Sequence, residues 1–161
     1  MQPEAQNRHQ IASLQPPYSM LRREIESEIL PFCAQHRIGV IPYSPMQKGL
    51  LTGKFSVERM KSLPSDDHRR KDPMFAEPQL GANLQLIRGL EGLAREHRMT
   101  VAELALAWVL RRPEVTAAIV GARRPEQIEE TADAATKTLS PELIQVVEEL
   151  LAKRDKSLTA R

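Results

Sequence analysis

The sequence predicts an α/β fold, a partial (β/α)8 TIM barrel holding about the last three strands with their helices. Three observations predict it. Short apolar runs at 11–15, 37–43 and 115–120 alternate with longer stretches of helical period, the signature of parallel βαβ units. The second and third runs are β-branched and almost continuously apolar, as strands covered on both faces are. Three strands neither close a barrel nor complete a doubly wound sheet, so residues 1–161 read as one incomplete domain.

The elements follow in order. Ile11 to Gln15 is the first strand, stopped by Pro16 and Pro17. Leu21, Ile25, Ile29 and Phe32 recur at helical spacing over Leu21 to His36. Pro31 lies inside that stretch, so it is kinked or falls into two pieces; a second piece starting near Ser27 would put Pro31 close to its first turn. Arg37 to Tyr43 is the clearest strand, with Pro42 where its ladder stops. Gly49 and Gly53 mark a tight loop. Ser56 to Gln79 is polar and charge-mixed; Ser56 to Leu63 suits a short helix, and the remainder, with three prolines, is a long loop that is either functional or disordered.

Leu80 to Arg98 is amphipathic, with Leu84, Ile87, Leu90 and Ala94 on one side. Thr100 and Glu103 form a capping box for a helix over Val101 to Arg112, apolar nearly all round and hence deeply buried. Val115 to Val120 is a buried-type strand ended by Gly121. Pro125 opens the next helix at its first position, with Ile128, Ala132 and Ala135 expected to face inward. Ser140 and Pro141 start the last helix, Leu139 and Ile144 staple it, and Leu143, Val147, Leu150 and Leu151 form its buried stripe.

Composition narrows the function. At 41% hydrophobic and 27% charged residues, the chain is neither collagen, low-complexity disorder nor a membrane bundle. No apolar run approaches the ~20 residues of a membrane span, and the polar first ten residues lack a signal-peptide core. The single cysteine, Cys33, fits a reducing cytoplasm. A net charge of +2 does not imply nucleic acid. His9, His36, His68 and His97 are scattered without metal-ligand spacing and read as surface side chains. There is no GxSxG, HExxH, CxxC or GxGxxG. The run Gly49-Leu-Leu-Thr-Gly53-Lys54 has one residue too few between its glycines for a phosphate loop, and Phe55 stands where magnesium needs Ser or Thr.

Two places carry chemistry. In Val120-Gly-Ala-Arg-Arg-Pro-Glu-Gln127 a strand ends, two arginines follow and a helix begins. The free N–H groups of such a helix start attract anions, and Arg123 or Arg124 adds a forked contact to phosphate. The competing reading is an arginine pair that serves only solubility. In Tyr43-Ser-Pro-Met46, Tyr43 ends a strand with a flat face suited either to stacking on a cofactor ring or to ordinary packing.

Four motifs in order make the resemblance specific. They are Gln15-Pro-Pro-Tyr-Ser-Met-Leu21, Ile38-Gly-Val-Ile-Pro-Tyr-Ser-Pro-Met-Gln-Lys-Gly-Leu-Leu-Thr-Gly-Lys54, Ala105-Leu-Ala-Trp-Val-Leu110 and Ile119-Val-Gly-Ala-Arg-Arg-Pro-Glu-Gln-Ile-Glu-Glu130. Over nearly its whole length the chain resembles the C-terminal half of an aldo-keto reductase, of the branch that includes the potassium-channel β subunits. That resemblance implies a (β/α)8 barrel that reduces small aldehydes or ketones with NADPH. It implies that Gln15 holds the nicotinamide carboxamide and that Tyr43 stacks on the nicotinamide ring. Ser44, Pro45, Met46 and Gly49 would line the pyrophosphate, with Lys54 reaching the phosphate side. Gly121, Arg123, Gln127 and Glu130 match the pocket for the adenosine 2′-phosphate and adenine, Arg123 favouring NADPH over NADH. Thr131 stands where the family usually has Asn, and so lacks the amide donor for adenine.

The family's catalytic Asp, Tyr, Lys and His lie in the first half of its barrel, which this chain does not contain; Tyr18 and Tyr43 belong to other motifs. No catalytic residue is therefore assigned here, and the isolated chain is expected to be inactive. The Ser56–Gln79 loop is the candidate for substrate selection. Two other readings remain: a non-catalytic NADP(H)-binding or regulatory module, and a structural partner that completes a barrel. Open sheet edges point to self-association or to a complementary N-terminal half.

Overall fold

The computed structural model describes residues 9–160. Three parallel strand segments lie side by side. Strand β1 (Ser13–Leu14) pairs with β2 (Gly39–Val40), Ser13 opposite Gly39 and Leu14 opposite Val40. Bridges extend this pairing to Pro17 and Tyr43. On its other side Val40 pairs with Val115 and Tyr43 with Ile119. The run that looked strongest in sequence is thus the middle of three.

The first segment does not stop at its prolines. Tyr43 N–H donates to the Pro16 carbonyl at 3.1 Å, and Tyr18 N–H donates to the Tyr43 carbonyl at 3.3 Å. Proline lacks only the donor, so the ladder takes the Pro16 oxygen and resumes donation at Tyr18; an outer strand tolerates this.

The third segment departs further from expectation. Val120 to Val115 was expected to be buried throughout, yet Val115 is buried while Ile119 is 42% exposed. It makes bridges with β2 rather than a continuous strand, and among the described residues no further strand pairs with it. Hydrophobic composition specifies a side chain's preference; its cover comes from neighbours.

The Leu21–His36 stretch falls into two pieces. A short 3₁₀ turn (Glu24–Glu26) precedes helix α1 (Ile29–His36), whose first turn contains Pro31. Arg37 then takes a left-handed conformation (φ 53°), and Ile38 N–H bonds the Cys33 carbonyl at 2.9 Å, turning the chain into β2.

The long polar segment is folded. Helix α2 (Val57–Lys61) is capped by Ser56, which accepts from Arg59 N–H. Two 3₁₀ turns, His68–Lys71 and Pro73–Phe75, are capped by Asp67 and Asp72. Leu63 and Phe75 are buried and anchor the segment.

Helix α3 (Gln79–Glu96) buries Leu80, Leu86, Ile87, Leu90 and Ala94, while Leu84 is half-buried. It also buries Asn83, whose amide donates to the Met74 carbonyl at 2.9 Å and accepts from Arg154 at 3.0 Å. Helix α4 (Val101–Leu110) is buried nearly all round and carries both bonds of its capping box, Glu103 N–H to Thr100 Oγ1 at 3.1 Å and Thr100 N–H to Glu103 Oε2 at 2.7 Å.

Helix α5 (Pro125–Ala132) does not turn Ile128, Ala132 and Ala135 inward. Ile128 is 57% exposed, Ala132 and Ala135 are exposed, and Ala134 is buried instead. After Ala132 the chain tightens into a 3₁₀ turn (Asp133–Thr136), and three residues per turn in place of 3.6 bring Ala134 inward instead of Ala135. Helix α6 (Pro141–Thr159) begins with Ser140 accepting from Leu143 N–H and buries Leu143, Val147 and Leu151. Leu150 is half-buried against Gly89 of α3, where a Cβ would lie 2.9 Å from its Cδ2.

One cluster ties these layers together. Trp108 of α4 is fully buried, and its Nε1 donates to Glu148 of α6 at 3.2 Å. Arg111 lies 3.6 Å from the indole centroid and Arg23 5.1 Å. Tyr18 packs beside the indole and donates its hydroxyl to Glu26 at 2.6 Å. Burial, then that bond to Glu26, pushes the Tyr18 phenol well above its ordinary pKa. Burial opposes the Glu26 charge, but Arg23 and Tyr18 hydrogen bonds outweigh it and hold the carboxyl below its usual range. The cluster fixes the turn after β1 relative to α4 and α6.

Candidate functional site

The carboxyl ends of β2 and the third segment open onto a groove of about 740 Å³. Both ladder bonds of the Tyr43 backbone go to the first segment, and on the other side Ile119 N–H donates to the carbonyl of the preceding Pro42 at 2.8 Å. The Tyr43 side chain is left 43% exposed at the groove wall. A polar-tipped aromatic in this position presents a stacking face on a rigid support.

The chain then turns sharply. Ser44, Gln47 and Lys48 have φ of 55°, 45° and 55°, followed by Gly49 at 98°. Left-handed backbone costs an L-residue roughly 1–2 kcal/mol, so three such non-glycine residues in five are held by their surroundings. The turn brings Ser44, Pro45, Met46 and Gly49 to the groove. At Gly49 and Gly121 a Cβ would meet nothing within 4 Å, so both backbones lie open to a ligand.

The opposite wall comes from the third segment and α5. Gly121, Arg123, Gln127, Glu130 and Thr131 line it. Gln127 Oε1 accepts from Arg123 N–H at 2.7 Å and shapes the turn ahead of the helix. That turn leaves the Arg123 side chain exposed, with no carboxylate partner among the described residues. Lys54 crosses the groove to Glu130 at 3.4 Å. The Thr131 hydroxyl donates back to the Gln127 and Ile128 carbonyls at 2.8 and 3.1 Å, so its one proton is spent within the helix.

Eleven of the twelve residues singled out in the sequence therefore line one groove. Gln15 is the exception: it is exposed on the outer segment and does not line it. Pro17, not Gln15, pairs with Tyr43, so Gln15 sits two residues, about 6.6 Å, back toward the amino end of the segment.

The groove also takes in residues that the sequence reading passed over. Lys48, Arg59 and Arg69 make its lining five cations to one carboxylate, counting Lys54 and Arg123 against Glu130. Arg69 is held by Asp67 through two side-chain bonds of 2.9 and 2.7 Å and lies 5.9 Å from the Phe55 ring centroid. The Arg69 hydrogen bonds hold the Asp67 carboxyl far below its usual range. Their signal in sequence was only the mixed charge of the 56–79 segment, which does not say which cations turn inward. A long cationic groove with an aromatic near one end and open glycine backbones suits an elongated polyanion bearing flat rings. Among the described residues no cluster of His, Cys, Asp or Glu is placed to hold a metal ion. No described helix is long and apolar enough to cross a membrane.

Residues 3–152 match the model of the Aldo/keto reductase family. A probable aldo-keto reductase 1 from Glycine max is 36% identical over 132 residues, which cover 82% of this chain and 37% of that protein. A probable voltage-gated potassium channel subunit beta from Arabidopsis thaliana is 32% identical over 148 residues, 88% of this chain and 44% of that one. The structure of a glycerol dehydrogenase from Gluconobacter oxydans superposes with a TM-score of 0.87 at 32% identity, covering 96% of this chain and 47% of that chain. The chain thus spans less than half the length of each of these three proteins.

Proposed function

The chain belongs to the aldo/keto reductase family, and on that footing we propose that it is the cofactor-holding part of a (β/α)8 barrel that reduces aldehydes or ketones with NADPH. The observation that carries the reading is the single groove joining the Tyr43–Gly49 turn to the Gly121–Thr131 wall, with the Arg123 guanidinium unpaired at its rim.

The residues present fit a dinucleotide. Tyr43 would stack on the nicotinamide and fix which face of the ring meets the substrate. The open backbone at Gly49, with Ser44 to Met46 beside it, would lie along the pyrophosphate, and Lys54 would add charge there. Arg123 would pair with the 2′-phosphate that distinguishes NADPH from NADH, through a forked contact that Lys would not reproduce. Gln127 would hold the Arg123 backbone in place, and Glu130 would orient Lys54 across the groove. Thr131 would offer adenine an acceptor only, because its proton is already used. When bound, the reduced cofactor supplies the hydride for the carbonyl carbon. This chain's residues bind and orient; the proton donor belongs to the half of the barrel that carries the family's Asp, Tyr, Lys and His, and turnover needs that half. The buried Cys33 suits a reducing compartment such as the cytoplasm.

A second reading has one observation in its favour: the Arabidopsis relative is named as a channel subunit. A nucleotide-binding module without turnover would use the same groove. Supplying the other half of the barrel and assaying aldehyde reduction separates the two.

Calorimetric titration of the 161-residue chain tests the groove itself. Arg123→Ala removes a charge-assisted bond of roughly 1.5–3 kcal/mol, about 10- to 100-fold in NADPH affinity, with little change for NADH. Equal losses for both nucleotides would make Arg123 structural and overturn the assignment.

A further inference from the structure

We propose that the Asp72–Met74 turn is a clamp that holds the groove-facing turn at Gln47–Gly49 in shape, and that Asp72 is a positioning residue for the groove. The groove-facing turn holds a local conflict. Gln47, Lys48 and Gly49 are left-handed in succession, and two of them are not glycine. Backbone bonds within the turn, Gln47 N–H to the Ser44 carbonyl at 2.8 Å and Gly49 N–H to the Met46 carbonyl at 3.1 Å, close it, and side chains from other segments add to that restraint.

Three contacts do so. Lys48 Nζ meets Asp72 Oδ2 at 2.6 Å, with the Asp72 side chain only 15% exposed. The Gln47 amide is buried, accepts from Ser19 Oγ at 3.0 Å and donates to Met74 Sδ at 3.1 Å. Asp72 Oδ1 also accepts from Met74 N–H at 3.0 Å, so one carboxylate ties both halves of the clamp.

The clamp is itself anchored. The Met74 carbonyl accepts from Asn83 of α3, and Asn83 is held by Arg154 of α6. A chain of side-chain bonds therefore runs from two core helices, through the Pro73–Phe75 turn, to the backbone that lines the groove. Asp72 does not line the groove; Lys48 and Gly49 do. Its action on a ligand passes through them. Burial opposes the Asp72 charge, but the Lys48 bond and the Met74 N–H outweigh it and hold the carboxyl below its usual range, in keeping with a pair that is formed near neutral pH.

The effect on affinity rests on the nucleotide reading above; the effect on the turn does not. The experiment measures both on the full chain. Hydrogen exchange without nucleotide should show residues 46–52 exchanging about 10-fold faster in Asp72→Asn, with α4 unchanged, as expected of a local opening. Met74→Leu, which keeps volume and removes the sulfur acceptor, should move the same residues less. The exposed Asp66→Asn on the same segment should move nothing. The swap Lys48→Asp with Asp72→Lys re-forms the ion pair but leaves Met74 N–H without its acceptor, and should restore protection only in part. Titration with NADPH should show about 5-fold weaker binding for Asp72→Asn, the size of one partly exposed ion pair. Unchanged exchange at 46–52, or equal acceleration there and in α4, overturns the clamp. Failure of the wild-type chain to bind NADPH overturns the nucleotide reading, and the exchange data still decide the clamp.

Discussion

Trp108 joins three layers of the fold, and two substitutions there separate what its ring does from what its N–H does. The side chain is fully buried. Trp108→Ala removes it and leaves a cavity, a loss of about 3–5 kcal/mol. It also strips Arg111, 3.6 Å from the ring centroid and 15% exposed, of its aromatic face, which adds about 1 kcal/mol. Glu148 is not orphaned, because Arg23 and Arg111 still face it. The total is about 4–6 kcal/mol. Trp108→Phe keeps a ring beneath Arg111 and beside Tyr18, and loses chiefly the 3.2 Å bond to Glu148, about 1–2 kcal/mol for a carboxylate that stays paired. Urea unfolding followed by far-ultraviolet circular dichroism gives both values; this is the chain's only tryptophan, so its fluorescence disappears with it, and urea leaves the ion pairs unscreened. Equal losses in the two variants would refute the account, since the ring would then contribute nothing beyond its N–H.

Three further outcomes are expected. Glu26 has a folded pKa below its unfolded one, so it stabilises the chain above the unfolded value and that contribution fades as pH falls through the folded value; Glu26→Gln should flatten this part of the acid-unfolding curve. Gly53→Ala puts a Cβ at φ 73° and 3.3 Å from Val101 Cγ2, and should lower stability by about 1–2 kcal/mol in the same urea assay. Thr100→Ala breaks the capping box of α4 and should cost about 1 kcal/mol, with Thr100→Ser recovering most of it.

Local chemistry was legible in the sequence wherever an element's ends and face are decided within a few residues. The capping box at Thr100 and Glu103, the cap at Ser140, and Pro31 in the first turn of α1 all appear in the structure. Their partners lie three or four positions away, so no tertiary information is needed. The groove was legible for a related reason. Tyr43 and Gly121 end adjacent parallel strands, and the residues just after such strands share one end of the sheet.

Tertiary structure decided the rest. Pro16 and Pro17 read as a stop, yet the neighbouring strand needed only an oxygen from Pro16 and a donor at Tyr18. Ile119 and Ile128 read as core, yet burial depends on what stands opposite, and nothing among the described residues covers them. Gln15 belongs to a motif with Tyr18, yet it is Pro17 that pairs with Tyr43, and Gln15 does not line the groove. Lys48, Arg59 and Arg69 are ordinary surface cations in sequence until the 56–79 segment docks and turns them to one side. Sequence by itself determines preferences that act over a turn or two of backbone. Register, cover and the meeting of charges from residues 24 positions apart, as in Lys48 and Asp72, depend on distances that only the folded chain sets.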